Sequence, residues 1–405
     1  LREQDLKLIV DTWEAHEDVS HYARFVKFSE IEANDYNLNI PRYVTPEDKE
    51  IQQDIYAHLH GGLPAHDVDV VMSSLWEACP TLKDNLFKKE ENSYYSLVPD
   101  VDKISDTINN DPSYIKQNEL YAAVIEKWCK AISEDMYAEV QEECEPKMLI
   151  AQWGEKLLAE AKRELKLVSP YNVYEILMNY WAETMQDDCY MVSRDGWKVN
   201  LVETKKKSTF EDMECDLLPV PVVINEYYTD ELGKIVEKRS ELEQINAEIV
   251  AVPEDNVDAF DEGLYEMLEK VNEANVKKAV AAAKKNLVDA DSETVKVWNK
   301  YLELCSKKKE ISKAISALVD DLTNKVKSEY SKLAPDDVQP LVIEKKWIAE
   351  IKRGCISEIV RVSESISNQT SLLNRRYAIP LPKIEDELRE ISAEVNGFLI
   401  SMGIK

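Results

Sequence analysis

The sequence predicts a mainly α protein: a helical domain with a small β-hairpin, followed by long antiparallel helices forming a coiled coil or elongated bundle. Three observations carry this. Only 9 glycines occur in 405 residues, which disfavours α/β nucleotide-binding folds, whose phosphate loops are built on Gly. Apolar residues make up 44% and charged ones 32%, so real cores can form beneath highly charged surfaces. After Tyr227, apolar residues recur at steps of three and four on charged stretches, which places a narrow stripe along one side of a helix.

A chain of this length exceeds one ordinary core and fits two or three domains. The expected divisions are residues 1–48, 49–226 and 227–405. In the first, Leu6, Ile9, Val10 and Trp13 share a helical face, and a short element runs through Tyr22, Phe25 and Val26. Ser29 and Glu32 have capping-box spacing, so Glu30 to Asn34 fit one helical turn. Tyr36, Leu38 and Ile40 then alternate with asparagines up to Pro41, as in an extended segment.

In the second division, residues 46–60 read as a helix broken by Gly61 and Gly62, and Asp67 restarts one carrying Val68, Val71, Leu75 and Trp76. Residues 117–167 read as two or three helices with Trp128 and Trp153 on apolar faces. Pro170 suits the first position of another. Cys189–Val192 and Trp197–Val202 flank SRDG, a hairpin pattern, and residues 218–224 fit a third strand or an extended connector.

In the third division, helices are expected over 229–250, 293–333 and 343–376, with a last one through Leu388, Ile391, Val395, Phe398 and Met402. Pro380 and Pro382 fix the turn before it and send it back along its predecessor. Part of each narrow seam should stay open for a partner. Replacing Ile391 and Val395 by Asp is expected to cost several kcal/mol, as core changes with a buried charge do.

The net charge of −28 is uneven: residues 1–270 carry about −31 and residues 271–405 about +3. An acidic front opposes nucleic-acid phosphates, so DNA contact is expected mainly through an assembled complex. An acidic helical scaffold that imitates DNA is the alternative reading. No apolar run approaches the ~18–20 residues that span a bilayer, so no membrane is expected. The first residues, LREQDLKLIV, are charged and amphipathic, unlike a secretory leader. The chain begins at Leu1, without Met and in mid-pattern, which reads as the boundary of a fragment. Seven scattered cysteines without a CxxC read as reduced core thiols of a cytoplasmic protein.

Few residues suggest chemistry. His58, His60 and His66 lie near Asp67 and Asp69, but the first two point in different directions on a helix, so a solvated loop is expected and not a metal site. Glu183, Asp187 and Asp188 cluster near a helix end, the first two sharing a face, without a His, Cys or Gly-rich loop, which fits ion pairing or a partner contact. Lys205, Lys206 and Lys207 fit a solvated loop or a phosphate contact.

The stretch NDYNLNIPRYV, residues 34–44, resembles the segment that closes the methyltransferase domain of type I restriction-modification modification subunits. HLHGGLPAHDVD at 58–69, PYNVYEILMNYWAETMQDDCYMV at 170–192, LVIEKKWIAEI at 341–351 and IPLPKIEDELREI at 379–391 resemble the long-tailed branch of that family. The resemblance implies a parent that transfers methyl from S-adenosylmethionine to adenine N6 in DNA. It implies partners too: a specificity subunit that reads DNA and a restriction subunit that cleaves it. Such enzymes use an Asn-Pro-Pro-aromatic loop that grips the flipped adenine. None occurs here; the nearest text is Asp111-Pro112-Ser113-Tyr114. No catalytic, cofactor-binding or metal residue is therefore expected in this chain, which should be inactive alone. The expected contact residues are Asn37, Asn39, Arg42 and Tyr43, toward DNA or a neighbouring domain. A structural edge, with Arg42 paired to an acid, is the competing reading. The last-helix seam, Leu388 to Met402, is the expected partner interface.

Overall fold

The computed structural model describes residues 1–19, 22–44, 53–90, 93–205, 207–260, 271–285 and 290–403. Among these residues, long helices dominate, with two small antiparallel sheets. The chain divides into two compact units, Leu1–Arg194 with Trp347–Lys405, and Asp195–Lys346. This is not the linear partition expected from the sequence: the helix at 349–377 lies in the first unit and not in a common tail bundle.

In the first unit, a short helix runs from Ile55 to His60 and Asp54 caps its start, accepting from the Ala57 amide at 2.8 Å, so the helix expected over 46–60 does not run unbroken; residues 46–52 lie outside the described residues. Pro112 opens the helix Pro112–Glu139 where its missing N–H is not needed. Asp111 caps it, accepting from the Ser113 and Tyr114 amides at 2.9 Å each. Pro146–Glu164 packs against it and against Pro170–Tyr180. Trp128, Trp153 and Trp181 are buried where these helices meet, with the rings of Trp153 and Trp181 edge to face at 6.3 Å. Truncating a ring such as Trp153 would cost about 3–5 kcal/mol.

The helix opened by Pro170 does not stop before a hairpin. It passes through one π-helical stretch, Trp181–Met185, into Gln186–Asp195, burying Cys189 and Val192 three residues apart on one face. The returning helix Ala349–Tyr377 packs against Ile104–Asn109, Pro112–Glu139 and Pro170–Tyr180. The approach is close: a Cβ on Gly354 would lie 2.7 Å from Ile176 Cγ2. Tyr121 donates to the Cys355 carbonyl at 3.0 Å. Ile366, Leu373 and Tyr377 join a cluster with Leu82, Leu86 and Phe87. Beside it lies a three-stranded sheet in which Tyr94–Leu97 runs between Leu63–Pro64 and Phe87–Lys89.

In the second unit, the hairpin pairs Val202–Glu203 with Met213–Glu214, later in the chain than expected. Residues 218–224 are not a strand: Val220–Tyr227 is helical, with Pro219 as its cap and Pro221 inside its first turn. Thr229–Asp255 and Ser292–Tyr330 pair antiparallel. Lys325 meets Glu231 at 3.0 Å near one end. Near the other, Val252 packs with Trp298, whose indole donates to the Ala259 carbonyl at 2.8 Å. Ile235, Leu322 and Val326 are fully buried, as seam residues of a coiled pair should be. Lys346 Nζ donates to the Asp216 and Leu217 carbonyls at 3.0 and 2.9 Å.

All seven cysteines are free, six of them buried and Cys144 half-buried. Among the described residues, no helix is long and apolar enough to cross a membrane.

Candidate functional site

Two outward apolar surfaces of the first unit stand out, one at each end of the chain. The first is built on the helix Glu3–Ala15. Its polar face points inward. Lys7 bridges Asp11 and Glu155 at 2.5 Å each. Asp11 also receives Lys162 at 2.8 Å and the Tyr171 hydroxyl at 2.9 Å. The Gln4 amide donates to Glu175 Oε2 at 2.7 Å. Burial opposes charge on Lys7, but the hydrogen bonds it donates to Asp11 and Glu155 outweigh it and hold the ammonium above the ordinary lysine range. Burial likewise opposes charge on Asp11, and Lys162, Lys7 and Tyr171 hold it below the ordinary carboxylate value.

The apolar face of the same helix points out. Leu6, Ile9, Val10 and Trp13 are exposed, Trp13 at 74%. Phe25 and Phe28 extend the surface, and Leu38 and Ile40 lie exposed on the turn that follows. Phe25 contributes to an aromatic ladder: Trp13, His16 and Phe25 follow with ring centroids 5.8 and 5.1 Å apart. A surface helix normally buries its apolar stripe and solvates its charges; this one does the reverse. The periodicity made the amphipathic helix legible; which of its faces turns inward is set by Glu155, Lys162, Tyr171 and Glu175, far away in sequence.

Asn37, Asn39, Arg42 and Tyr43 form a compact turn and not an extended segment. Asp35 and Tyr36 take left-handed backbone (φ 54° and 56°), and Ile40–Arg42 is a 3-10 turn. Asn37 Oδ1 accepts from the Asn39 amide at 2.9 Å, and its carbonyl accepts from the Tyr43 hydroxyl at 2.5 Å. Arg42 reaches Asn34 Oδ1 at 3.5 Å.

The second surface is the last helix, Leu381–Ser401. It does not fold back as a buried bundle member. Every residue from Leu381 to Ile400 is exposed, and its main contact is with Ile55–His60. Ile391, Val395 and Phe398 are 58, 49 and 61% exposed. The expected core penalty for charges at Ile391 and Val395 therefore does not apply to the isolated chain.

The remaining candidates have structural roles. Asp111-Pro112-Ser113-Tyr114 is the start of a helix: Asp111 also accepts from Thr81 and Asn85, at 2.9 and 2.7 Å. His58 shares a hydrogen bond with Gln53 at 2.7 Å and its ring lies against Tyr377, while His60 lies against Tyr56. Among the described residues, no three metal-binding side chains converge. Glu183 and Asp187 lie within the continuing helix and not at its end. Their neighbour Asp188, buried, takes the indole N–H of Trp347. Lys205 pairs with Asp212; Lys206 lies outside the described residues.

Comparison with known proteins covers the first of these surfaces. Residues 1–52 match the N-6 DNA methylase family. A type I restriction enzyme MjaVII methylase subunit from Methanocaldococcus jannaschii is 47% identical over 51 residues. Those residues are 12% of this chain and span 9% of that relative's length. No solved structure matches. Over this N-terminal part, the resemblance to type I modification subunits is borne out.

Proposed function

We propose that the chain, whose residues 1–52 match the N-6 DNA methylases, is the C-terminal region of a type I modification subunit and serves in assembly. Its parent would transfer methyl from S-adenosylmethionine to adenine N6 in DNA. The observation that carries this reading is the inverted helix at Glu3–Ala15. The apolar stripe that faces out lies within the methylase-matching residues, so a methylase domain is the natural cover for it. The inward polar face anchors that domain to the helical unit through Asp11 and Lys162. Asn37, Asn39, Arg42 and Tyr43 belong to the same domain contact. Their polar groups are partly engaged within the turn, while Leu38 and Ile40 beside them are exposed.

At the other end, the seam Leu388, Ile391, Val395, Phe398 and Met402 would dock on the specificity subunit, with the restriction subunit joining the assembled complex. An apolar seam of this length on a 21-residue helix gives both affinity and orientation to a helical partner. The test is capture of the specificity subunit by the chain and by its Ile391→Asp/Val395→Asp variant. The wild type should retain the subunit and the variant should lose it, with unchanged helix content in both. Equal capture by the two would sink the assembly role of this helix.

A further inference from the structure

Docking of the last helix on a partner helix, the proposal on which this inference rests, leaves open the chemistry of that partner. The apolar residues Ile384, Leu388, Ile391, Val395, Phe398 and Met402 follow one another at steps of four and three. This places them at the two seam positions of a heptad repeat. The positions flanking the seam are then Glu385, Ser392 and Leu399 on one side, and Glu387, Glu394 and Ser401 on the other. Every charged flank is a carboxylate. The two cations of the helix, Lys383 and Arg389, fall away from the seam, and Arg389 is already paired with Asp386 at 3.2 Å. Among the described residues, Glu385, Glu387 and Glu394 have no ion-pair partner, and all three are exposed.

Flanking charges choose partners in coiled coils, because they face the flanks of the opposite helix across the seam. A second copy of this helix would bring only carboxylates to those places, on a chain whose net charge is already −28. A helix with Lys or Arg at its flanks would satisfy all three glutamates while their stems cover the edge of the seam. We infer that the occupant of this seam is an amphipathic helix flanked by Lys or Arg, and that the flanking carboxylates exclude pairing with a second copy. The assignment needs no change in the seam itself: the apolar residues supply affinity and the glutamates supply selection.

The full chain can be titrated with two designed helical peptides. They share an Ile/Leu seam and differ only in carrying Lys or Glu at the flanks. The wild type should bind the Lys peptide about tenfold more tightly than the Glu peptide, with the preference shrinking as salt rises. The variant Glu385→Lys/Glu387→Lys/Glu394→Lys should reverse the order. Because the helix is exposed throughout, the variant should keep the wild-type circular dichroism. In sedimentation, the wild type should not associate through this helix, whereas an equimolar mixture of wild type and variant should. Equal binding of both peptides overturns the charge assignment and leaves the docking reading standing. Binding of neither overturns both. Wild-type self-association that Ile391→Asp abolishes overturns the exclusion of a second copy.

Discussion

The indole Nε1 of Trp347 donates to Asp188 Oδ2 at 2.7 Å, across 159 residues of sequence and wholly inside the first unit. The two residues belong to the stretches 170–192 and 341–351, which the sequence alone singled out separately. Their contact joins the continuing helix begun at Pro170 to the start of the returning segment. Asp188→Ala should cost about 2–3 kcal/mol, because it strands a buried indole N–H. Urea unfolding followed by tryptophan fluorescence measures this. A variant that unfolds with the wild type would mean that the contact does not hold the return in place.

Asp111 makes stability depend on acid. Burial opposes its charge, but hydrogen bonds from Ser113, Tyr114, Thr81 and Asn85 outweigh that and hold its carboxyl below the ordinary 3.8. A group depressed on folding stabilises fully above its unfolded value. That contribution is lost as pH falls through the lower folded value. Asp111→Ala should cost about 1–2 kcal/mol as a lost cap at neutral pH, and its melting temperature should approach that of the wild type on acidification below the ordinary carboxylate value. Parallel melting curves with a constant gap down to the most acid pH would contradict the linkage.

The inverted helix predicts an unusual mutational pattern. Ile9→Ser and Trp13→Ser remove large apolar groups, yet both sites are exposed. Each should change the stability of this chain by less than about 0.5 kcal/mol. Solubility should rise, and binding of a separately produced methylase domain should fall. A drop in melting temperature typical of core truncation would show that the outward face is not outward in solution.

Two glycines on helices should respond in opposite ways to alanine. Gly354 faces Ile176 Cγ2, a branched methyl that cannot swing aside, so Gly354→Ala should cost about 1–3 kcal/mol by overpacking. Nothing lies within 4 Å of a Cβ on Gly397 in the last helix. Gly397→Ala should raise helicity, by up to about 1 kcal/mol of propensity. Thermal melts and far-ultraviolet circular dichroism of the two variants, side by side, decide the matter. Gains from both would remove the close helix crossing at Gly354.

The long helices were legible because only a helix brings residues spaced three and four apart onto one side of a charged stretch, and Thr229–Asp255 and Ser292–Tyr330 follow that spacing. The misplaced hairpin has a physical cause. Gly196 has a left-handed backbone (φ 73°) after the helix Gln186–Asp195. A helix end and a tight hairpin both favour glycine in that conformation, so SRDG fits either, and only the burial of Cys189 and Val192 decides. Residues 218–224 misled similarly: a short apolar run with two prolines reads as extended, yet Pro219 as cap and Pro221 in the first turn fit a helix start just as well. Of the candidate surfaces, the apolar faces were visible as spacing. Their outward direction was not, because it depends on Glu155, Lys162, Tyr171 and Glu175, far away in sequence. The same holds for Asp188, whose role needs Trp347.

The first unit is completed by a helix that the chain supplies only after the whole of Asp195–Lys346. During synthesis, residues 1–194 emerge well before the segment that covers Tyr121 and Ile176. At about 5–20 residues per second, the wait is roughly ten to thirty seconds. Throughout it, the groove that receives Ala349–Tyr377 stands open, while Thr229–Asp255 and Ser292–Tyr330 can already close on each other. Folding order thus departs from the order of synthesis, with the middle maturing before the beginning. Ribosome-bound chains arrested before Trp347 should yield a protease-resistant core from the middle unit and none from residues 1–194. Protection of both would show that the first unit can wait for its last helix already folded.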